Sequence, residues 1–256
     1  FECIEVIERT MKERWCRELG AQSWEDPRVV DSWGQYVAKH LLTRLYGYEL
    51  MMASYAVAHL KLSFKLGETG YHLQGSDRIN VYLTNTLDAP SHSANPRLAG
   101  LFEVLGKEAQ AVTTVKLSKR FTVVLGNPPY AGLSSNMTEH AQQLVDAYKV
   151  VDGEALNERK LWLQDDYVKF FRAAQNVVQQ TGAGVLGYIT NHGYLDNPTF
   201  RGMRQSLMST FQQVRVLDLH GNANKKEQAP NGAEDKNVFD IRQGVAICLA
   251  TRCGKG

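Results

Sequence analysis

Apolar residues recur at three- and four-residue steps from the first turn of the chain. Ile4, Ile7, Met11, Trp15 and Leu19 form the stripe of an amphipathic helix, and Gly20 is placed to stop it. A polar, Trp-rich stretch runs from Gln22 to Trp33, followed by a short helix through Tyr36 to Leu41 and a strand-like piece from Arg44 to Leu50. Tyr55 to Leu66 has a helical period that ends at Gly67, and Ile79 to Leu83 is a strand. Residues 88–118 are rich in Ser, Pro and Ala with no strong period, so a loop excursion with a short helix around Leu101 to Leu105 is expected. Phe121 to Leu125 is the clearest buried strand of the chain and stops at Gly126 and a proline pair. A helix from Trp162 to Val178, a strand from Val185 to Thr190 and a helix from Thr199 to Phe211 follow. Strands from Val214 to Leu219 and Val245 to Ala250 close the pattern, with a polar, mobile loop excursion expected over 221–240 between them.

Strands alternating with helices predict an α/β fold: an open, mainly parallel sheet with helices on both faces, formed as one domain over residues 1–256. A chain of 256 residues with 43% hydrophobic and 22% charged positions can bury a core. That excludes a disordered tail or a collagen-like fibre, and no apolar run approaches the roughly 18 residues of a membrane helix. The four cysteines form no C-x-x-C pair, which argues against a zinc site or disulfide framework and fits a reducing, cytoplasmic location. The histidines show no metal-ligand spacing either. A net charge of +2 permits nucleic acid as a partner without pointing to it. Phe1, rather than Met, opens the chain inside an amphipathic pattern, so the sequence reads as a fragment. Gly182 to Gly187 fits G-x-G-x-x-G, but it follows a helix and opens a strand, the reverse of the dinucleotide-binding context; a tight helix-to-strand turn explains it.

The stretch that carries chemistry is Asn127-Pro128-Pro129-Tyr130, delivered at the end of the Phe121–Leu125 strand, where open α/β sheets bind ligands. This tetrapeptide arises by chance in roughly one chain in a thousand of this length. An aromatic amine is a poor nucleophile because its lone pair is delocalised into the ring. The Asn127 side-chain oxygen and the Pro128 carbonyl can each accept one N–H of such an amine. Held so, the lone pair is drawn towards a methyl donor and the positive charge developing on nitrogen is stabilised. The two prolines restrict φ and keep the carbonyl fixed, and Tyr130 offers a face for a base to stack on. No strong general base is required, since the proton leaves a cationic, methylated nitrogen.

This motif resembles the catalytic motif of S-adenosylmethionine-dependent amino-methyltransferases, above all the DNA adenine-N6 enzymes. The longer text G-N-P-P-Y-A-G-L-S-S-N, with G-Y-I-T-N-H-G-Y-L-D and N-V-F-D-I-R-Q-G-V-A-I downstream, resembles the methyltransferase domain of type ISP restriction–modification enzymes. Those are single-chain machines with nuclease, helicase and target-recognition parts. The resemblance covers nearly the whole chain. It implies a Rossmann-like class I methyltransferase fold, lacking here its first strand and Gly-rich loop, and S-adenosylmethionine as cofactor. It implies double-stranded DNA as partner, with the other domains in the intact chain.

The resemblance also implies roles for single residues. Glu49, in Gly47-Tyr48-Glu49-Leu50, would bind the donor's ribose hydroxyls, with Met51 near its adenine ring; the plain alternative is a surface glutamate. Asn85, with Thr86, stands where the family has an acidic residue contacting that adenine. Phe200 would stack on the other face of the flipped base, or else be a core residue of the helix it opens. His192 would lie on the same rim as Asn127, contacting nucleic acid or serving as a hydrogen-bonded structural histidine. Ser134 and Ser135 fall in a region that faces substrate in this family, and Lys225-Lys226 could touch phosphate. Two further readings stay open: a glutamine-amide methyltransferase, whose motif N-P-P-Y also resembles, and a non-catalytic DNA-binding or scaffold module.

Overall fold

The computed structural model describes residues 1–75, 77–90, 103–129, 134, 136–156 and 161–254. It divides into two compact units, Phe1–Thr86 with His92–Thr113, and Leu87–Ser91 with Thr114–Gly256.

In the first unit, helix α1 (Glu2–Leu19) stops at Gly20, whose left-handed φ of 64° closes its last turn. Helix α2 (Pro27–Tyr36) begins inside the polar, Trp-rich stretch, ahead of the short helix expected through Tyr36 to Leu41. The cause is a cap: the Asp26 carboxylate accepts from the Arg28 amide at 2.9 Å, and Pro27 is preset for the first helical position. One wide helical turn, Val37–Leu41, and the short α3 (Leu42–Arg44) lead into strand β1 (Tyr46–Glu49). Strand β2 (Asn80–Leu83) pairs with β1 in parallel, Tyr46 opposite Asn80 and Glu49 opposite Leu83. A parallel pair needs a crossover, and helix α4 (Met52–Glu68) supplies it. Trp33 anchors the core against Ile4, Val37, Leu41 and Leu66, and its indole N–H donates to Thr69 Oγ1 at 2.9 Å. Helix α5 (Glu103–Ser118), of which the part up to Thr113 falls in this unit, is longer than the short helix expected over Leu101 to Leu105, whose first two residues lie outside the described ones. Its buried Val112 and Val115 share one face, but Gly106 and two adjacent threonines weaken the helical signal in the sequence.

The second unit holds strand β3 (Val123–Gly126), helix α6 (Glu139–Gln143) and a small hairpin, β4 (Val150–Val151) with β5 (Glu154–Ala155). Asp152 and Gly153, both at positive φ, make the hairpin's tight turn. Helix α7 (Asp166–Thr181), strand β6 (Gly184–Asn191), helix α8 (Arg201–Thr210), strand β7 (Gln213–Asp218) and strand β8 (Val245–Arg252) follow. Gly182 turns α7 into β6 with φ 88°, so the G-x-G-x-x-G text is a helix-to-strand turn.

The sheet order is β3-β6-β8-β7. β3 and β6 are parallel, whereas β8 is antiparallel to both β6 and β7. The sheet is therefore mixed, not mainly parallel. The reason is connectivity: no α-helix separates β7 from β8, so the last strand returns along its predecessor and lies between β7 and β6.

Among the described residues of this unit, helices cover one face of the sheet. Helices α7 and α8 bury Leu186, Tyr188, Cys248 and Ala250 on one face, with Phe171, Val178, Met203 and Leu207 among the covering side chains. On the opposite face Val123 and Leu125 are 56% and 57% exposed, and Leu217 and Leu249 are exposed beside them. Among the described residues β3 pairs with β6 alone and its Val123 and Leu125 are exposed, so Phe121–Leu125 is not the buried strand expected. Gln175 ties the covered layer together: it accepts from the Tyr148 hydroxyl at 2.7 Å and donates to Thr210 Oγ1 at 2.6 Å.

Candidate active site

β3 delivers Asn127 at its carboxyl end, directly after Gly126. Gly126 is required there because the Tyr188 ring of the neighbouring strand lies over it; a Cβ at this position would come within 2.9 Å of Tyr188 Cε1. The Asn127 side chain is exposed, and among the described residues nothing takes its amide. Pro128 is buried and Pro129 exposed, so the first proline seats the turn while the asparagine stays open. Tyr130 lies outside the described residues.

Ser134 and Asn136, shortly after this turn, are held by the start of α7. The Ser134 hydroxyl donates to the Asp166 carboxylate at 2.5 Å, and Lys169 Nζ donates to Ser134 Oγ and to the Asn136 carbonyl, both at 2.6 Å. Lys169 is 0% exposed and Asp166 is buried. Desolvation holds the Lys169 ammonium below its ordinary range, opposed by the charges of Asp166 and Asp165. Sequence reasoning missed this network. A Lys three residues after an Asp at a helix start reads as a solvated pair, and only the burial distinguishes it.

In the first unit, Glu49 and the segment after β2 share one rim. The Thr84 amide donates to the Glu49 carbonyl at 2.8 Å, which carries the parallel ladder past β2 and leaves Asn85 and Thr86 half-buried just beyond it. Glu49 Oε1 accepts from the Met51 amide at 3.0 Å, so the carboxylate sits at the entry to α4. Its other oxygen has lone pairs for a further donor. Met51 is exposed. A half-buried carboxylate at the carboxyl end of a parallel strand fits a ribose diol.

His192 follows β6 on the rim of the second unit, but it is only 3% exposed and both ring nitrogens are engaged. Nδ1 lies 3.0 Å from Asp218 Oδ1, and the side-chain Nδ2 of Asn222 lies 2.8 Å from Nε2. Its ring also fills the space a side chain at Gly244 would occupy. The imidazole is a structural clasp joining β6, β7 and the loop that follows, with no nitrogen left for a base. Phe200 is 4% exposed and belongs to the core, with its ring 6.2 Å from that of Tyr167. Of its two readings, the buried one describes this structure. Lys225 pairs with Asp196 at 2.6 Å. The 221–240 loop holds internal order: Asn237 Nδ2 donates to the Gly221 and Gln243 carbonyls, and the Asn222 amide donates to Glu227.

The chain belongs to the Eco57I restriction-modification methylase family, whose profile matches residues 43–224. No curated protein matches. Among solved structures, the fold resembles a nuclease-deletion mutant of the Type ISP restriction-modification enzyme LlaGI in complex with a DNA substrate mimic. That likeness has TM-score 0.71 at 19% identity, over 97% of this chain and 19% of the other. The ATP-dependent Type ISP restriction-modification enzyme LlaBIII bound to DNA gives TM-score 0.71 at 21% identity, over 97% of this chain and 16% of the other. The DrdV–DNA complex gives 0.65 at 24% identity, over 87% and 21%. The chain thus spans about a fifth or less of each of these longer chains. Among the described residues, no helix is long and apolar enough to cross a membrane.

Proposed function

We propose that this chain transfers a methyl group from S-adenosylmethionine to the N6 amine of an adenine flipped out of double-stranded DNA. It would serve as the modification part of a cytoplasmic restriction–modification enzyme whose intact chain also carries nuclease, helicase and target-recognition domains. The fold would be a Rossmann-like class I methyltransferase domain over residues 1–256 without its first strand and Gly-rich loop. The observation that carries the reading is the exposed Asn127 beside the buried Pro128 at the carboxyl end of β3.

The Asn127 side-chain oxygen and the Pro128 carbonyl each accept one N–H of the amine, and together they hold its lone pair towards the donor. When bound, S-adenosylmethionine supplies an electrophilic methyl group. Pro128 and Pro129 keep the accepting carbonyl fixed, so little rearrangement is needed as charge develops on nitrogen. Tyr130 provides the stacking face for the base. Glu49 would hold the ribose hydroxyls of the donor, with Met51, Asn85 and Thr86 beside its adenine. His192 and Phe200 are left out of the binding set, because their rings are buried within the protein.

The test is product identity. The intact protein is incubated with methyl-labelled S-adenosylmethionine and adenine-containing duplex DNA, and the digested nucleosides are separated. Label in N6-methyl-2′-deoxyadenosine is expected. Label on protein glutamine would favour the amide reading, and donor binding without any acceptor would favour the scaffold reading.

A further inference from the structure

Lys169 is an expensive residue in its place. Its ammonium is fully buried in the first turn of α7, the end of a helix that repels cations, and burial disfavours its charge. A core position on an amphipathic helix would be filled at lower cost by an apolar side chain. The partners explain what the charge is for. Among the described residues, Nζ donates to the Ser134 hydroxyl and to the Asn136 carbonyl, both at 2.6 Å, and both acceptors follow the N-P-P-Y motif in sequence. Asp166, one helical turn back on the same face, accepts from the same Ser134 hydroxyl at 2.5 Å. Ser134 in turn accepts from the Asn136 amide at 3.1 Å, so the two ends of this short piece are bound to each other as well as to α7.

Ser134 and Asn136 themselves lie in no helix or strand. The next regular element, α6, starts only at Glu139, capped by Thr138. A loop held by one buried cation and one buried carboxylate has a defined position that a solvated loop lacks.

We propose that Lys169 and Asp166 are positioning residues of the methyl-transfer site, holding Ser134 and Asn136, downstream of Asn127-Pro128-Pro129, where they help receive the base. The proposal rests on the methyl-transfer reading above. Neither side chain touches the reacting atoms. Their effect is on how well the base is held once extruded.

The intact protein is compared as wild type, Ser134→Ala, Lys169→Met and Asn127→Ala. Ser134→Ala removes only a hydroxyl shared by both charges and keeps the loop's backbone, so it reports on the latch even if Lys169→Met fails to fold. Methyl-transfer kcat is expected to fall by roughly 10- to 100-fold in Ser134→Ala, the scale of a small misplacement at a reacting centre, with the KM for S-adenosylmethionine unchanged. With 2-aminopurine in place of the target adenine, the fluorescence gain on DNA binding is expected to shrink in the same variant, a change that mere loss of stability would not produce in the folded fraction. Unchanged kcat and fluorescence in Ser134→Ala, alongside loss of activity in Asn127→Ala, would overturn the latch while leaving the methyl-transfer reading intact. Full activity in Asn127→Ala would remove that reading, and the latch with it.

Discussion

Gly126 lies against the ring of Tyr188, with room for a hydrogen but not for a methyl group: a Cβ would stand 2.9 Å from Cε1. The two residues are register partners across the parallel pair of β3 and β6. The aromatic ring is fixed in the core below α7, where it meets Phe171 edge-on at 5.3 Å between centroids. The glycine of G-N-P-P-Y is therefore a packing requirement that sets where Asn127 emerges.

Gly126→Ala should force β3 away from Tyr188 and shift Asn127. The expected outcome is a stability loss of about 1–3 kcal/mol, as for overpacked cores. Methyl transfer should fall further than the loss of folded protein explains. Denaturant unfolding read beside kcat separates the two effects, and a variant with wild-type kcat would show that the turn tolerates the displacement.

Phe200 is in the core, so its truncation should act on folding first. Phe200→Ala is expected to cost about 3–5 kcal/mol, the range for a buried aromatic. Urea unfolding checks this. A loss well under about 1 kcal/mol would mean that the ring is not the core residue described here.

The clasp of His192 and Asp218 predicts an acid-sensitive element. Burial alone would raise the Asp218 carboxyl, but hydrogen bonds from His192 and from the His220 amide, with the nearby imidazole charges, outweigh it and hold the group below its ordinary 3.8. A carboxyl depressed by folding stabilises the protein above its unfolded value and loses that contribution as pH falls through the folded one. The stability of the wild type should therefore drop below pH 3.8, and Asp218→Asn should be less stable at neutral pH and flatter in acid. Parallel curves for the two proteins would contradict this assignment.

Cys248 sits in the covered face of the sheet, and burial pushes its thiol up to about 11. Cys3 and Cys253 are exposed. Near neutral pH a thiol reagent should label these two in the native protein and reach Cys248 only on unfolding. Mapping labelled peptides by mass spectrometry checks the order. Early modification of Cys248 would show that the β6–β8 layer opens locally.

Much of this was legible in the residues. The apolar periods located α1, α4, α7, β6, β7 and β8, and the strand-then-N-P-P text located the turn that carries Asn127. What was hidden depended on partners distant in sequence. α2 announced itself only through Asp26-Pro27, a cap inside a polar stretch, and the β4–β5 hairpin only through Asp152-Gly153. The exposure of β3 was invisible because Val123 and Leu125 are as apolar as any core strand; exposure depends on what covers the face, not on the strand's own text. His192 and Phe200 sat at suggestive places in motifs, yet Asp218, Asn222 and Tyr167 claim them from elsewhere in the chain. Lys169 drew no expectation at all, because nothing local in the sequence marks a lysine of this helix as fully buried.

The most direct test of the account is methyl transfer by the intact protein with and without the Asn127 side-chain oxygen. Purified wild type and Asn127→Ala are given labelled S-adenosylmethionine and duplex DNA, and label in N6-methyladenine is measured at matched folded concentration. Label is expected in the wild type, with a loss of at least about 100-fold in the variant, the scale of removing a group that stabilises developing charge. Transfer at a near-normal rate by Asn127→Ala would contradict it.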